Sequence, residues 1–315
     1  MRPNAPLTTL RPDLAGSLME IEVQAQLMGL VGLQIAPAVE VNLAADSYGI
    51  IPFEEMLKTA DTKRSGSGNY NRFTQKFGTL SYSTEEHGIE RVISDRDAKK
   101  YAAYIDAELA AVSTCRQIVL YNHEKRVIDL VNAITNTTAA GTAWTTLSTE
   151  PVDIIRTAML AIRGRTGLIP NVGVISWNRF QYLKDNDQVL DRLRSLGAVN
   201  VQKANITAQQ LAAAFDLENL IVAGSVQNTA KEGQAKVVAS LWPDDKFLVA
   251  RVCRTSSIEE PGAFRTFHWG EDGSVIGGLV ESYYSNEARG NVVRCRMDTD
   301  EKTQMADAAQ LITGI

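Results

Sequence analysis

The segment "ISDRDAKKYAAYIDAELAAVSTCRQIVLYNHEKRVIDLVNAIT", Ile93 to Thr135, limits the possible folds more than any other, because no glycine or proline interrupts it before Gly141. Tyr101, Ile105, Leu109, Val112, Cys115 and Val119, then Val127, Val131 and Ile134, step by threes and fours, the pattern of one long amphipathic helix. Ser94 with Asp97 three residues on predicts a capping box at its start. About 40 residues at 1.5 Å of rise would span about 60 Å. A compact sphere of this chain length has a radius of gyration of about 20 Å, hence a diameter near 50 Å. Either the helix breaks near Tyr121 and Asn122, or the subunit is flat and elongated.

Upstream, Pro12 to about Ile35 carries a roughly helical apolar period, and Pro37 then turns the chain into an extended segment where Val39, Val41 and Leu43 alternate. "SYGIIPFEEML" and "RFTQKFGTLSYS" read as the arms of a long hairpin, with Phe73, Gln75, Phe77, Leu80 and Tyr82 as strand positions. Its tip is "ADTKRSGSGNYNR", Ala60 to Arg72. Downstream, "STEPVDIIRTAMLAIRGRTGLIPNVGVISWNRF" predicts a helix, a turn at Gly167 to Pro170, a buried strand and a second helix. "TAQQLAAAFDLENLIVAGS" repeats helix then strand, giving an α/β module over 148–250. A β-rich return follows, and "ADAAQLITGI" predicts a short closing helix.

Sites of small-molecule chemistry are hard to find. "GSGNYN" at Gly66 lacks the third glycine of a dinucleotide loop and sits between two predicted strands, not between a strand and a helix. Of the three histidines, His87 reads as a turn residue, His123 as a solvated helix residue and His268 as a strand residue, and none has a catalytic motif around it. The adjacent acids Glu54 and Glu55, Glu85 and Glu86, and Glu259 and Glu260 read as solvated charges. Cys115, Cys253 and Cys295 are far apart and read as buried free thiols. We therefore expect no catalytic residue, no cofactor and no metal. A net charge of −5 argues against a protein that grips DNA, although a weakly acidic wall can confine a polyanion without adsorbing it. No run of about 20 apolar residues is present for a membrane span, and the N-terminus has no signal-peptide core, so a cytoplasmic place of synthesis is expected.

The order of elements is the strongest signal. "GLQIAPAVEVNLAADSYGIIPFEEM", "YSTEEHGIERVISDRDAKKYAAYIDAE", "NHEKRVIDLV", the "TGxxPN" turn at Thr166 to Asn171, "LAAAFDLENLIVAGSVQNTA" and "SLWPDDKFLVARV" together resemble the major capsid proteins of tailed bacteriophages. That fold, the Johnson or Hong Kong phage fold, is also used by encapsulin shells, and the resemblance covers nearly the whole chain. It implies an α+β protein with an N-terminal arm (1–48), an extended loop (49–93, tip near 60–72), a peripheral domain with a spine helix (94–147), an inserted axial domain (148–250) and peripheral return strands with the closing helix (251–315).

The resemblance further implies a structural subunit of the virion that assembles in the host cytoplasm, as pentamers and hexamers, into an icosahedral head around double-stranded DNA. A separate scaffolding protein, a portal and a decoration protein are the partners it implies, with only non-specific proximity to the packaged DNA. Expected inter-subunit contacts are Lys63, Arg64 and Arg72 against acidic surface, and Phe73, Phe77 and Tyr82 against a neighbour. An encapsulin-like compartment and an α/β enzyme built around 148–250 are the rival readings.

Overall fold

A computed structural model of the chain describes residues 9–10, 29–64, 66, 68–101, 106–196 and 206–315. The helical period expected from Pro12 onward falls almost wholly outside these residues, as does Ser67 in the loop tip.

The long helical pattern resolves into two helices, α3 (Asp95–Tyr101) and α4 (Ala107–Asn132). Ser94 Oγ accepts from the Asp97 N–H at 3.1 Å, so the predicted start is present. The chain does not break at Tyr121 and Asn122, which lie inside α4. A new helix starts where the Asp106 carboxylate accepts from the N–H groups of Glu108 (3.0 Å) and Leu109 (3.2 Å), satisfying donors that a continuing helix would have used internally. The 26 residues of α4 span about 39 Å.

Two main sheets pack against this spine. The first is built on β14 (Gly290–Thr303), which runs beside β5 (Glu85–Ser94), β13 (Leu279–Ser285) and β12 (Phe264–Trp269). Beyond β12 lies β2 (Ala38–Val41) in parallel register, and beyond β13 the short β1 (Thr9–Leu10). The second sheet has the order β6 (Thr137–Ala139), β15 (Ala309–Thr313), β11 (Lys246–Ala250), β7 (Val172–Ser176) and β8 (Asn219–Ala223).

The second sheet is covered on both faces, as runs such as "VGVIS" require. Ile175, Phe247, Val249 and Ile312 face the helices α5 (Pro151–Thr166), α7 (Asp187–Ser195) and α8 (Ala208–Ala214). Their sequence neighbours Val174, Leu248 and Leu311 face the second half of the spine, Val127, Ile128 and Val131, together with Val31 and Ile35 of the arm. The first half of the spine, Ala111, Val112, Cys115 and Val119, packs instead on Ile93, Val280, Val293 and Cys295 of the first sheet. One helix thus joins two sheets and two cores.

Several expectations are corrected. The closing segment is a 3-10 turn (Ala306–Ala308) followed by β15, not a helix, because Ala309 to Ile312 are buried on both sides between β11 and β6 and the sheet outweighs local alanine propensity. β6 and β15, which complete the second sheet, lie outside the bounds 148–250. His87 is not in a turn but pairs with Met297 in the β5–β14 ladder. The hairpin is shorter than expected: β3 (Ala45–Ile50) pairs with β4 (Gly78–Ser83), and the ladder stops at Ile50 opposite Gly78. Pro52 has no N–H to continue it, so residues 51–77, including Phe73, Gln75 and Phe77, form an excursion with one helical turn, α2 (Phe53–Met56).

Gly173 lies in the interior of β7. A Cβ there would come within 2.9 Å of both Leu217 Cδ1 and Phe247 Cζ, in the closed core. Gly173→Ala is expected to destabilise the subunit by about 1–3 kcal/mol, measurable as a lowered denaturation midpoint with unchanged m-value.

Candidate functional site: loop tip and arm anchor

The tip of the 51–77 excursion is closed on itself. Asp61 Oδ1 accepts from the Lys63 N–H at 2.9 Å, and Asn71 Nδ2 donates to the Asp61 carbonyl at 2.8 Å. Arg64 donates through Nε to the Gly68 carbonyl (2.8 Å) and lays its guanidinium over the Tyr70 ring at 4.6 Å. A Cβ at Gly66 would meet open space, so packing does not demand glycine there. At the base, Glu55 is buried rather than solvated: it accepts from Lys58 Nζ on its own limb (2.5 Å) and joins the two limbs by accepting from the Lys76 N–H (3.3 Å). Glu260 likewise closes a turn, accepting from the N–H groups of Arg254 (2.9 Å) and Thr255 (2.6 Å).

The predicted contact residues divide into two groups. Lys63, Arg64 and Arg72 are exposed on the tip, and Phe73 (55%) and Phe77 (73%) are exposed beside it, with Met56, Leu57 and Tyr70 also open to solvent. Tyr82 is corrected: it is buried in its own subunit, stacked on Phe267 at 4.7 Å, and that ring also meets Tyr48 at 5.7 Å. The hairpin root is therefore fastened to β12, while the excursion carries the exposed side chains, with Leu57 lying near Gly167 at the end of α5.

A buried polar cluster on the spine was not anticipated. His123 is 2% exposed, not solvated, and its Nε2 lies 3.4 Å from Thr266 Oγ1 and 3.5 Å from Glu301 Oε1. Thr266 Oγ1 donates to the Ala36 carbonyl at 2.9 Å, leaving its lone pairs for the imidazole N–H. Arg126 forks onto Glu301, at 2.6 Å from Nε and 2.9 Å from Nη2, and Nη2 also reaches Thr299 Oγ1 at 3.2 Å. On the neighbouring side of the helix, Glu124 accepts from Trp242 Nε1 at 2.6 Å.

Burial lowers the pKa of His123 to about 4 despite the pull of Glu301, so the ring is neutral at neutral pH. Burial acts to raise the Glu301 pKa, but the hydrogen bonds and charge of Arg126 outweigh it and hold the carboxyl below its ordinary range. The signal for this cluster was present in the sequence: His123 and Glu124 occupy the apolar stripe of α4 between Leu120 and Val127, where only partnered polar groups are tolerated.

Each of these groups is partnered within the chain, and His123 and Glu124 are buried. Burial pushes the thiols of Cys253 and Cys295 up to about 11 and about 12, which removes the thiolate a nucleophile needs; with Cys115 they are buried and free. Among the described residues no cluster of three or more His, Cys, Asp or Glu is placed to hold a metal, and no helix is long and apolar enough to cross a membrane. An open cleft of about 400 Å³ at the start of α5 is lined by Thr142, Thr146, Ser148, Glu150 and Asp153, with no base or nucleophile paired across it.

Because the folded pKa of His123 lies below its ordinary 6.5, the unfolded chain takes the proton first on acidification. Stability from this group is present above about pH 6.5 and is lost as the pH falls toward 4, by about 3 kcal/mol for a shift of this size. His123→Gln should flatten that part of the profile, as measured by urea denaturation of the unassembled subunit at pH 4, 5, 6 and 7.

No protein-family description matches the chain. A curated relative, the major capsid protein of Burkholderia phage BcepMu, is 26% identical over 213 residues, spanning 64% of this chain and 66% of that protein, just under two thirds of its length. A phage-related protein from Bordetella bronchiseptica superposes with a TM-score of 0.69 at 20% identity, covering 98% of both chains. The capsid of cyanophage P-SCSP1u gives 0.58 at 11% identity over 88% of this chain and 86% of that one. The SrpI encapsulin from Synechococcus elongatus PCC 7942 gives 0.55 at 12% identity over 90% and 86%. By these superpositions the chain has the mixed helix-and-sheet fold of tailed-phage capsid proteins, which encapsulin shells also use.

Proposed function

We propose that the chain is the subunit of an icosahedral phage head, assembling with copies of itself as pentamers and hexamers around double-stranded DNA. The observation that carries this reading is the 51–77 excursion, which exposes Met56, Leu57, Tyr70, Phe73 and Phe77 in a segment closed at its tip and fastened at its root. A monomer has no use for such a surface, whereas a shell tile buries it on its neighbour. The curated phage relative supports the same reading, and the burial of His123, His268 and the three thiols supports a structural role over a catalytic one.

In this reading the 148–250 module, with β6 and β15 completing its sheet, faces the capsomer centre, while the spine and first sheet lie at the periphery. Lys63 and Arg72, and Arg64 to the extent its bonds within the tip allow, face acidic surface on the adjoining copy. A separate scaffolding protein, a portal and a decoration protein are the further partners. The net charge of −5 fits an inner wall that confines DNA without gripping it. The encapsulin reading shares the fold, and the contents of purified particles separate the two: nucleic acid for a head, an enzyme cargo for a compartment.

Expressed alone or with a scaffolding protein, the chain should yield shells or capsomers by electron microscopy and light scattering; a monomer under all salt and scaffold conditions would overturn the proposal. Replacing Lys63, Arg64 and Arg72 together by Glu should lower shell yield roughly tenfold or more at low salt while circular dichroism stays unchanged. Unchanged assembly of that variant would exclude the proposed charge contact.

A further inference from the structure

The N-terminal arm crosses the spine between Gly29 and Val41, and its fastening there is unusual. The turn α1 (Gly32–Ile35) has no side-chain cap of its own. Its free N–H groups are met by a carboxylate from the middle of α4. Glu124 accepts from the Val31 N–H at 3.1 Å (Oε1) and 3.0 Å (Oε2), and from the Gly32 N–H at 2.5 Å (Oε2). Oε1 also takes the Trp242 indole N–H, from the segment between β10 (Val238–Ser240) and β11.

Glu124 is 1% exposed, and each partner is a donor with nothing to accept a proton in return. Burial raises the Glu124 pKa against the pull of the hydrogen bonds from Trp242, Val31 and Gly32. What these donors require is a pair of acceptor oxygens, and an amide in that place would turn an NH2 group toward other N–H groups. The approach is also close, since a Cβ on Gly32 would lie 2.7 Å from Glu124 Oε2.

The other end of α1 is fastened separately. Thr266 Oγ1 donates to the Ala36 carbonyl, the Thr266 N–H donates to the Pro37 carbonyl at 3.2 Å, and β2 then pairs with β12. Four residues after Val41 the chain enters β3, the root of the hairpin that carries the excursion. This stretch of chain is therefore held twice before it reaches the hairpin, by Glu124 at Val31 and Gly32 and by β12 from Ala36 onward.

We propose that Glu124 is a positioning residue for assembly: its buried carboxylate, by capping Val31 and Gly32 and binding Trp242, fixes the arm segment on the spine in the one position from which it meets the neighbouring subunit. This inference rests on the shell reading for its consequence but not for its geometry. The anchor is the junction of three segments distant in sequence, and none of its hydrogen bonds belongs to a sheet ladder. Its loss should loosen the arm without unfolding the subunit.

The test compares wild type, Glu124→Gln and Trp242→Phe, the last removing one donor while keeping an aromatic ring. Hydrogen exchange on the unassembled subunit reads the anchor, and electron microscopy of assembly reactions reads its consequence. In Glu124→Gln, amides of residues 31–41 should exchange at least tenfold faster while those of β7 and β11 stay protected, and particles should be few or misshapen. Trp242→Phe should fall between this variant and wild type. Unchanged protection of residues 31–41 with normal shells in Glu124→Gln would overturn the proposal. If that variant does not fold, Trp242→Phe decides: wild-type exchange at Val31 and Gly32 together with normal shells overturns the anchor. If wild type itself forms no shell, the shell reading and the assembly role fail together, while the exchange result still separates an anchored arm from an unanchored one.

Discussion

A single helix packed against two different sheets is the constraint on which the rest of the structure depends. Val112, Cys115 and Val119 belong to one core, Val127, Ile128 and Val131 to another, and a rigid backbone about 39 Å long connects them. Neither sheet can rotate about the spine without exposing one half of its apolar stripe. A body built this way holds its two sheets at a fixed angle.

Between the two cores the spine carries polar groups instead of apolar ones. Leaving His123, Glu124 or the Arg126–Glu301 pair without partners would cost several kcal/mol, so each is satisfied by a segment that must arrive in one register: the arm, β12, β14 or the Trp242 loop. Apolar contact alone tolerates sliding, whereas these hydrogen bonds do not. The cluster thus adds uniqueness at the junction where sequence-distant segments cross.

Much of this architecture was readable beforehand because long amphipathic periods and turn residues act locally. The module's helix–turn–strand order, the capped start at Ser94 and the turn at Gly167, whose φ of 71° needs glycine, all follow from neighbouring residues. What was misread depended on partners far along the chain. The break at Asp106 hid within a periodic stripe that continues across it. Ala309 to Thr313 has helical composition but is claimed by two flanking strands, and Tyr82 looked like a contact residue until Phe267 was brought against it from the far end of the chain. Of the candidate site, the exposed tip was legible from its basic and small residues. For Glu124, its place in the apolar stripe of α4 shows that it needs partners but not which ones, because its donors are two backbone amides and an indole that no linear pattern links to it.

The strand pairing of the first sheet bears on how such a subunit comes to exist at all. β2 joins β12 across more than two hundred residues, and β5 joins β14 across about as many, so the outer sheet must wait for loops of that length to close. The inserted module, by contrast, brings β7, β8 and β11 together within a short stretch of chain. Folding should proceed from that module outward, with β2 and β5 presenting unpaired edges until β12 and β14 arrive. A chain of this topology would then spend its most aggregation-prone interval with those edges open, and its yield would depend on chaperone capacity as much as on final stability.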